Sequence, residues 1–309
     1  MSSVELVHTF AADGLRLDGA LYGPVASPEP AGGVGLDAVL VLHGTGSNFY
    51  GSRFLAGIAE RVAAWGAACL VVNTRGHDQI TTALVRHADG SIGSRTIGSA
   101  YERVDECRLD VGAWVALLRE RGCERIGVFG HSLGAVKTIY AAVHEPLAGV
   151  AALVAISPPR LSYAHFAESP RGPGFLEEVA TAERHVAEGR PDELMSIRFP
   201  LPYVITAAGY LDKYGPAENY NLLQLVDRLP VPTLFTFGSG EVQQGIAFRG
   251  FPEALEEARG AGARGAEARA GGARLKTVVI AGGDHHYTGV QGDLLNAIER
   301  WLHRGAREA

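Results

Sequence analysis

Cysteine is scarce. Cys69, Cys107 and Cys123 are odd in number and far apart, with neither paired metal-ligand spacing nor a disulfide framework. They read as core or helix cysteines of a protein in a reducing compartment. No apolar run approaches the roughly 18 residues of a spanning helix, which argues against stable membrane insertion. Met1 to Glu5 carries no basic segment leading into an apolar one, so no secretory signal is read there and the expected location is the cytoplasm. A basic stripe is also missing. The formal charge of −6 is modest for 309 residues and the lysines and arginines are scattered, so nucleic acid is not an expected partner. His77 and His87 have no spaced carboxylate partners, and neither metal nor cofactor is expected.

What is present is ordinary globular material. Apolar residues make up 47% of the chain and charged residues 20%, which leaves little room for disorder. The length suits one α/β domain with an insertion better than two small domains, and it is compatible with a homo-oligomer.

Strand-like apolar runs alternate with helical patterns, as in a mostly parallel sheet with crossover helices. Val4 to Phe10 and Leu15 to Tyr22, separated by Ala11-Ala12-Asp13-Gly14, predict an antiparallel hairpin first. Strands are expected at 38–42, 68–72, 126–129, 150–156, 232–237 and 275–281. Helices are expected at 51–65, 102–121, 133–144, from about Pro252, and from about Val290 to His303. A long polar loop follows Asn73-Thr74-Arg75-Gly76-His77 and runs to about Ser99. From Ser157 to Pro230 no clear strand is visible. Helical stretches near 175–188 and 216–228 flank a region rich in tyrosine. Arg259 to Gly272 is rich in Ala, Gly and Arg and reads as a frayed helix end and surface loop.

The strongest chemical signal is Gly130-His131-Ser132-Leu133-Gly134, a G-x-S-x-G pattern between a strand and a helix. Flanking glycines allow the tight turn that presents a serine hydroxyl above a sheet. The plainer alternative is a helix-capping serine in a glycine turn.

With this motif the sequence resembles the α/β-hydrolase superfamily, in its serine-nucleophile, esterase-like branch with an inserted cap, over nearly its whole length. The resemblance implies a mostly parallel central sheet with helices on both faces, a core of residues 1–156 and 231–309, and a helical cap of 157–230 inserted between two late strands. It implies a serine hydrolase in which Ser132 attacks an ester-like carbonyl of a small molecule. The base expected after the last strand falls in Gly282-Gly283-Asp284-His285-His286-Tyr287, where alignment selects His285 over its neighbour His286.

The acid expected after the strand that follows the cap falls on Glu241, in Gly238-Ser239-Gly240-Glu241, where relatives more often carry aspartate. Asp212, Asp227 and Asp284 are rivals, the last better suited to a turn hydrogen bond. His43-Gly44-Thr45-Gly46-Ser47-Asn48 resembles the family's oxyanion loop, which implies donors on the backbone N–H groups of Thr45 and Leu133. Arg75-Gly76-His77 implies a loop-shaping turn, and His131 a packing and hydrogen-bonding role. Four tyrosines between 203 and 220 suit either a cap that closes on an aromatic substrate, with Tyr210 and Tyr214 as contacts, or rings that fasten the cap to the core. Carboxylic ester hydrolysis is the leading expectation. C–C bond, thioester or lactone hydrolysis on the same triad and non-catalytic small-molecule binding stay as alternatives.

Overall fold

The computed structural model describes residues 4–23, 34–265 and 275–308. Strands β1 (Val4–Phe10) and β2 (Arg16–Tyr22) form an antiparallel hairpin whose turn places Gly14 at φ +80°. Strands β3 (Ala38–Leu42) and β4 (Ala68–Val72) are short, wholly buried apolar runs, the pattern of central parallel strands covered on both faces. Between them helix α1 (Arg53–Ala64) starts where Ser52 accepts from the Leu55 N–H, and it buries Leu55, Ile58, Ala59 and Val62.

A second hairpin follows, β5 (Thr81–Arg86) and β6 (Ile92–Ile97). Helix α2 (Cys107–Glu120) comes next, then β7 (Ile126–His131), α3 (Leu133–His144) and β8 (Val150–Ile156). The inserted segment holds α4 (Tyr163–Ala167), α5 (Gly172–Ala187), an antiparallel pair β9 (Leu194–Ile197) and β10 (Tyr203–Thr206), and α6 (Ala207–Tyr214). The main sheet resumes with β11 (Thr233–Gly238), followed by α7 (Ser239–Gln244), α8 (Phe251–Gly265), β12 (Leu275–Ile280) and α9 (Gln291–Glu308).

The eight-stranded sheet runs β1-β2-β4-β3-β7-β8-β11-β12, antiparallel through β2–β4 and parallel thereafter. Alternate residues of β3 face opposite sides, as strand geometry requires. Leu40 and Leu42 join one core with Trp114, Ile139 and the inserted Phe166 and Phe175, whereas Val39 and Val41 join another with Ile58 and Ile298. All three cysteines are buried and unpaired. Among the described residues, no helix is long and apolar enough to cross a membrane.

Three expectations need correction. The polar loop from His77 to Ser99 contains the β5–β6 hairpin. Thr81, Ala83 and Val85 are half-buried while Thr82, Leu84 and Arg86 are exposed, a period-two pattern that the charged and glycine residues obscure. The insertion carries strands β9 and β10, too short at four residues each to register as apolar runs. The helix expected over 216–228 is instead two 3-10 turns, Leu222–Gln224 and Val226–Arg228. Glu218 at φ +49° and Asn221, whose side chain accepts from the Leu223 N–H, turn the chain first. The Ala/Gly/Arg-rich stretch is helical to Gly265, and residues 266–272 lie outside the described residues.

Arg75 is the buried anchor of the turn after β4. Its guanidinium bonds the fully buried Asp110 at 2.8 Å and also meets Glu106 at 2.9 Å and Asp13 at 3.1 Å. An ion stranded without its partner in such a place costs far more than a surface pair returns. Asp110→Ala is expected to lower unfolding free energy by about 3–5 kcal/mol, read from urea denaturation; a loss within the range of surface substitutions would mean that Glu106 and Asp13 suffice.

Candidate active site

Strand β7 ends at His131, and Ser132 takes φ +57°, ψ −123° before α3 begins at Leu133. A side chain with that backbone is disfavoured, so the turn has to be held. The Ser132 N–H donates to the Ile156 carbonyl at 2.9 Å. A Cβ on Gly130 would lie 2.1 Å from the Gly134 carbonyl oxygen, and one on Gly134 would lie 2.5 Å from the His43 carbonyl oxygen. Only glycine permits strand, helix and the loop after β3 to approach this closely.

His285 lies past β12, with its Nδ1 2.7 Å from Glu241 Oε2. Glu241 belongs to α7 directly after β11 and is 7% exposed. Its other oxygen, Oε1, accepts from the Gly238 N–H at 2.8 Å and from the Ser157 hydroxyl at 2.5 Å. The rival acids are engaged elsewhere or lie outside. Asp212 accepts from the Val104 N–H and the Tyr220 hydroxyl, and Asp227 is exposed. Asp284 accepts from the N–H groups of Thr288 and His286, bonds that hold its carboxyl below the usual range. His286 lines the same cavity as Ser132 and His285, and burial, then the neighbouring His285, push its pKa down.

Thr45 and Leu133 also line this cavity, and among the described residues neither backbone N–H meets a hydrogen-bond acceptor. The loop carrying Thr45 is pinned from below. His43 Nδ1 lies 2.7 Å from the Gly44 carbonyl, and its Nε2 accepts from the Thr74 N–H at 3.1 Å. Nε2 as acceptor makes Nδ1–H the donor, hence a neutral ring. Burial, reinforced by the Lys137 charge, lowers its pKa to about 3. Lys137 reaches the Thr74 hydroxyl at 2.8 Å and pairs with the buried Glu102, which also meets Lys213 of α6 at 3.7 Å. Burial opposes the Glu102 charge, but the two ammonium groups prevail and keep its pKa below the ordinary value.

The cavity measures about 360 Å³. Leu55, Leu133, Ala247 and Phe248 form its walls together with Pro159, Leu161, Pro200, Leu201 and Tyr214 of the insertion. Among the described residues, no Asp, Glu, Lys or Arg lines it. Tyr210 and Tyr214 therefore part company: Tyr214 faces the cavity, while Tyr210 is fully buried away from it and donates to Glu178 at 3.2 Å. Tyr210 and Tyr214 lie one turn apart on the same side of α6 with ring centroids 5.1 Å apart, but Tyr210 packs against Phe175 and bonds Glu178 inside the insertion, whereas Tyr214 reaches the cavity. Ser157 and Tyr287, both at the Glu241 carboxylate or one bond behind it, were not read from the sequence. Their only signals are a serine at the end of β8 and a tyrosine two positions after His285.

The model of the alpha/beta hydrolase family matches residues 39–307. The chain belongs to this family. Solved hydrolases share its fold. An esterase from Pyrococcus furiosus superposes with TM-score 0.62 at 16% identity, covering 98% of this chain and 91% of its own. Est1E from Butyrivibrio proteoclasticus, with ferulic acid bound, gives 0.61 at 16% identity over 96% and 98%. The alpha/beta hydrolase GrgF from Penicillium sp. sh18 gives 0.63 at 17% identity over 99% of each chain. Among curated proteins none matches the sequence. Within the described residues of this hydrolase, no group of three His, Cys, Asp or Glu side chains could hold a metal ion.

His131 ties the turn at Ser132 to the loop of His285. Its Nε2–H donates to the His285 carbonyl at 2.8 Å, and burial, then the nearby His285, lower its pKa to about 3. Unfolded histidine titrates near 6.5. Between those values the unfolded chain takes up a proton that the folded one refuses. The stability from a neutral His131 is thus complete above about pH 6.5 and falls as the pH drops toward 3. Each such histidine contributes about 1.4 kcal/mol per pH unit across that window. His131→Phe is expected to flatten the pH dependence of unfolding free energy between about pH 4.5 and 6 by that amount; parallel wild-type and variant curves would show that the folded protein protonates this ring.

Proposed function

We propose that this hydrolase cleaves a carboxylic ester of a small, uncharged molecule through an acyl-enzyme, with Ser132 as nucleophile, His285 as base and Glu241 as acid. The observation that carries the reading is the 2.7 Å contact of His285 Nδ1 with Glu241 Oε2, beside a strained serine that opens on the same cavity. A carboxylate on Nδ1 leaves Nε2 to take the serine proton and stabilises the imidazolium that forms. Ser132 Oγ then adds to the carbonyl. The N–H groups of Thr45 and Leu133, which meet no acceptor among the described residues, stabilise the oxyanion. The imidazolium returns its proton to the leaving alcohol, and a water activated by the same ring releases the acid.

The cavity walls argue for the substrate. Burying a charge against side chains without a counter-ion is costly, so an apolar acyl or aromatic group is favoured. Ferulic acid bound by the similarly folded Est1E is an aromatic of suitable size. Residues 157–230 act as a cap that supplies five of the cavity's lining residues, Pro159, Leu161, Pro200, Leu201 and Tyr214.

Intact-mass analysis after fluorophosphonate treatment tests the nucleophile. Wild type is expected to take one label and to lose it in Ser132→Ala and His285→Ala, with ester kcat lower by about 10,000-fold or more. Equal labelling of Ser132→Ala would refute the assignment and leave a binding protein as the better account. Tyr214→Ala is expected to reduce the kcat/KM ratio of aromatic over short aliphatic esters by about tenfold, whereas Tyr210→Phe leaves that ratio unchanged; equal effects of both would point to general loosening of the insertion.

A further inference from the structure

Glutamate has one more torsion than aspartate, so a triad built on Glu241 has to restrict where the carboxylate points. Two donors hold Oε1, the Gly238 N–H and the Ser157 hydroxyl, and Oε2 is left for His285. An ionised carboxylate only accepts, so the Ser157 proton is committed to Glu241. Ser157 Oγ lies 3.0 Å from the Tyr287 hydroxyl, which lies 3.2 Å from Thr236 Oγ1. With its own proton spent, Ser157 accepts from Tyr287, and Tyr287 accepts from Thr236. The three hydroxyls thus point in one direction, toward the charge, an order that strengthens each bond. All three residues are fully buried.

The backbone adds an independent observation. Five non-glycine residues among those described have positive φ, and three of them are Ser132, Ser157 (φ +49°) and Tyr287 (φ +55°). Such conformations persist where the surroundings enforce them, and they gather at functional sites. The strain falls on the nucleophile and on two of the three hydroxyl residues behind Glu241.

We propose that Ser157, backed by Tyr287 and Thr236, is a positioning residue that orients the Glu241 carboxylate and sets how strongly it favours the His285 imidazolium. This rests on the reading of Glu241 as the triad acid. The hydroxyl draws negative charge onto its own bond at Oε1. Without it, more charge faces His285, the imidazolium is stabilised, and the apparent pKa of the base rises.

Ser157→Ala keeps the backbone strain and removes only the hydroxyl. It is expected to lower kcat about 10- to 100-fold at nearly constant KM, and to move the acid limb of kcat/KM to higher pH. Tyr287→Phe shifts both in the same direction by less. In the double variant the second change adds nothing, because Tyr287 acts through Ser157. A wild-type kcat and acid limb in Ser157→Ala, or losses that multiply in the double variant, would overturn the proposal. Should Ser157→Ala fail to fold, Tyr287→Phe decides alone, and an unmoved acid limb refutes the relay. Glu241→Ala, measured alongside, separates the two readings. Full activity there removes the triad acid itself, whereas a damaged Glu241→Ala beside an intact Ser157→Ala removes only the relay.

Discussion

A serine held at φ +57° relaxes unless its surroundings forbid it, and here they do so from three sides. The Ile156 carbonyl at the end of β8 takes its N–H. The loop after β3 presses against Gly134 so closely that no side chain fits between them. Helix α3 begins at the next residue and packs Val136 and Ile139 into the core. The cavity floor, the unengaged Leu133 N–H and the approach of the His43–Gly44 loop all follow from that clamp. It exists because β3, β7 and β8 are neighbours whose parallel ends reach the same edge of the sheet.

Beneath this edge lies a group of buried charges. Two ammonium groups, Lys137 and Lys213, share the carboxylate of Glu102, and Lys137 also touches Thr74, which donates to His43. Replacing such ions by apolar residues is often neutral or stabilising, so their gain is better sought in specificity than in stability. The arrangement holds His43 neutral and its donor on the Gly44 carbonyl, which keeps the loop bearing Thr45 in one shape.

The sequence disclosed the elements whose burial is total or nearly so. β3 and β4 are unbroken, wholly buried apolar runs, β8 is apolar throughout with only its first two residues half-buried, β11 is wholly buried with threonine at just two of its six positions, and α1 and α3 have an apolar face. The β5–β6 hairpin, β9, β10 and the six-residue α7 were not legible, because short or half-exposed elements carry too few apolar positions to set a period. In the site, Ser132 stood out by its G-x-S-x-G turn, and His285 and Glu241 by the resemblance to the α/β-hydrolase family, which expects a base and an acid after those strands. Ser157 did not, since its contacts with Glu241 and Tyr287 span 84 and 130 residues, and no local pattern encodes such a meeting. Tyr210 and Tyr214 share one side of α6, and what separates them is the tertiary neighbours each ring meets, Phe175 and Glu178 or the cavity, which no local pattern encodes.

The insertion shares a core with the main domain. Phe166, Phe175 and Tyr214 lie in the same cluster of buried residues as Trp114 and Ile139, and Lys213 is ion-paired across that boundary to Glu102. Swinging it outward would expose those rings and strand an ion, at a cost of several kcal/mol. The walls that Pro159, Leu161, Pro200, Leu201 and Tyr214 give the cavity are therefore anchored in the same core that holds the sheet together, and a change there is felt in stability as well as in the cavity.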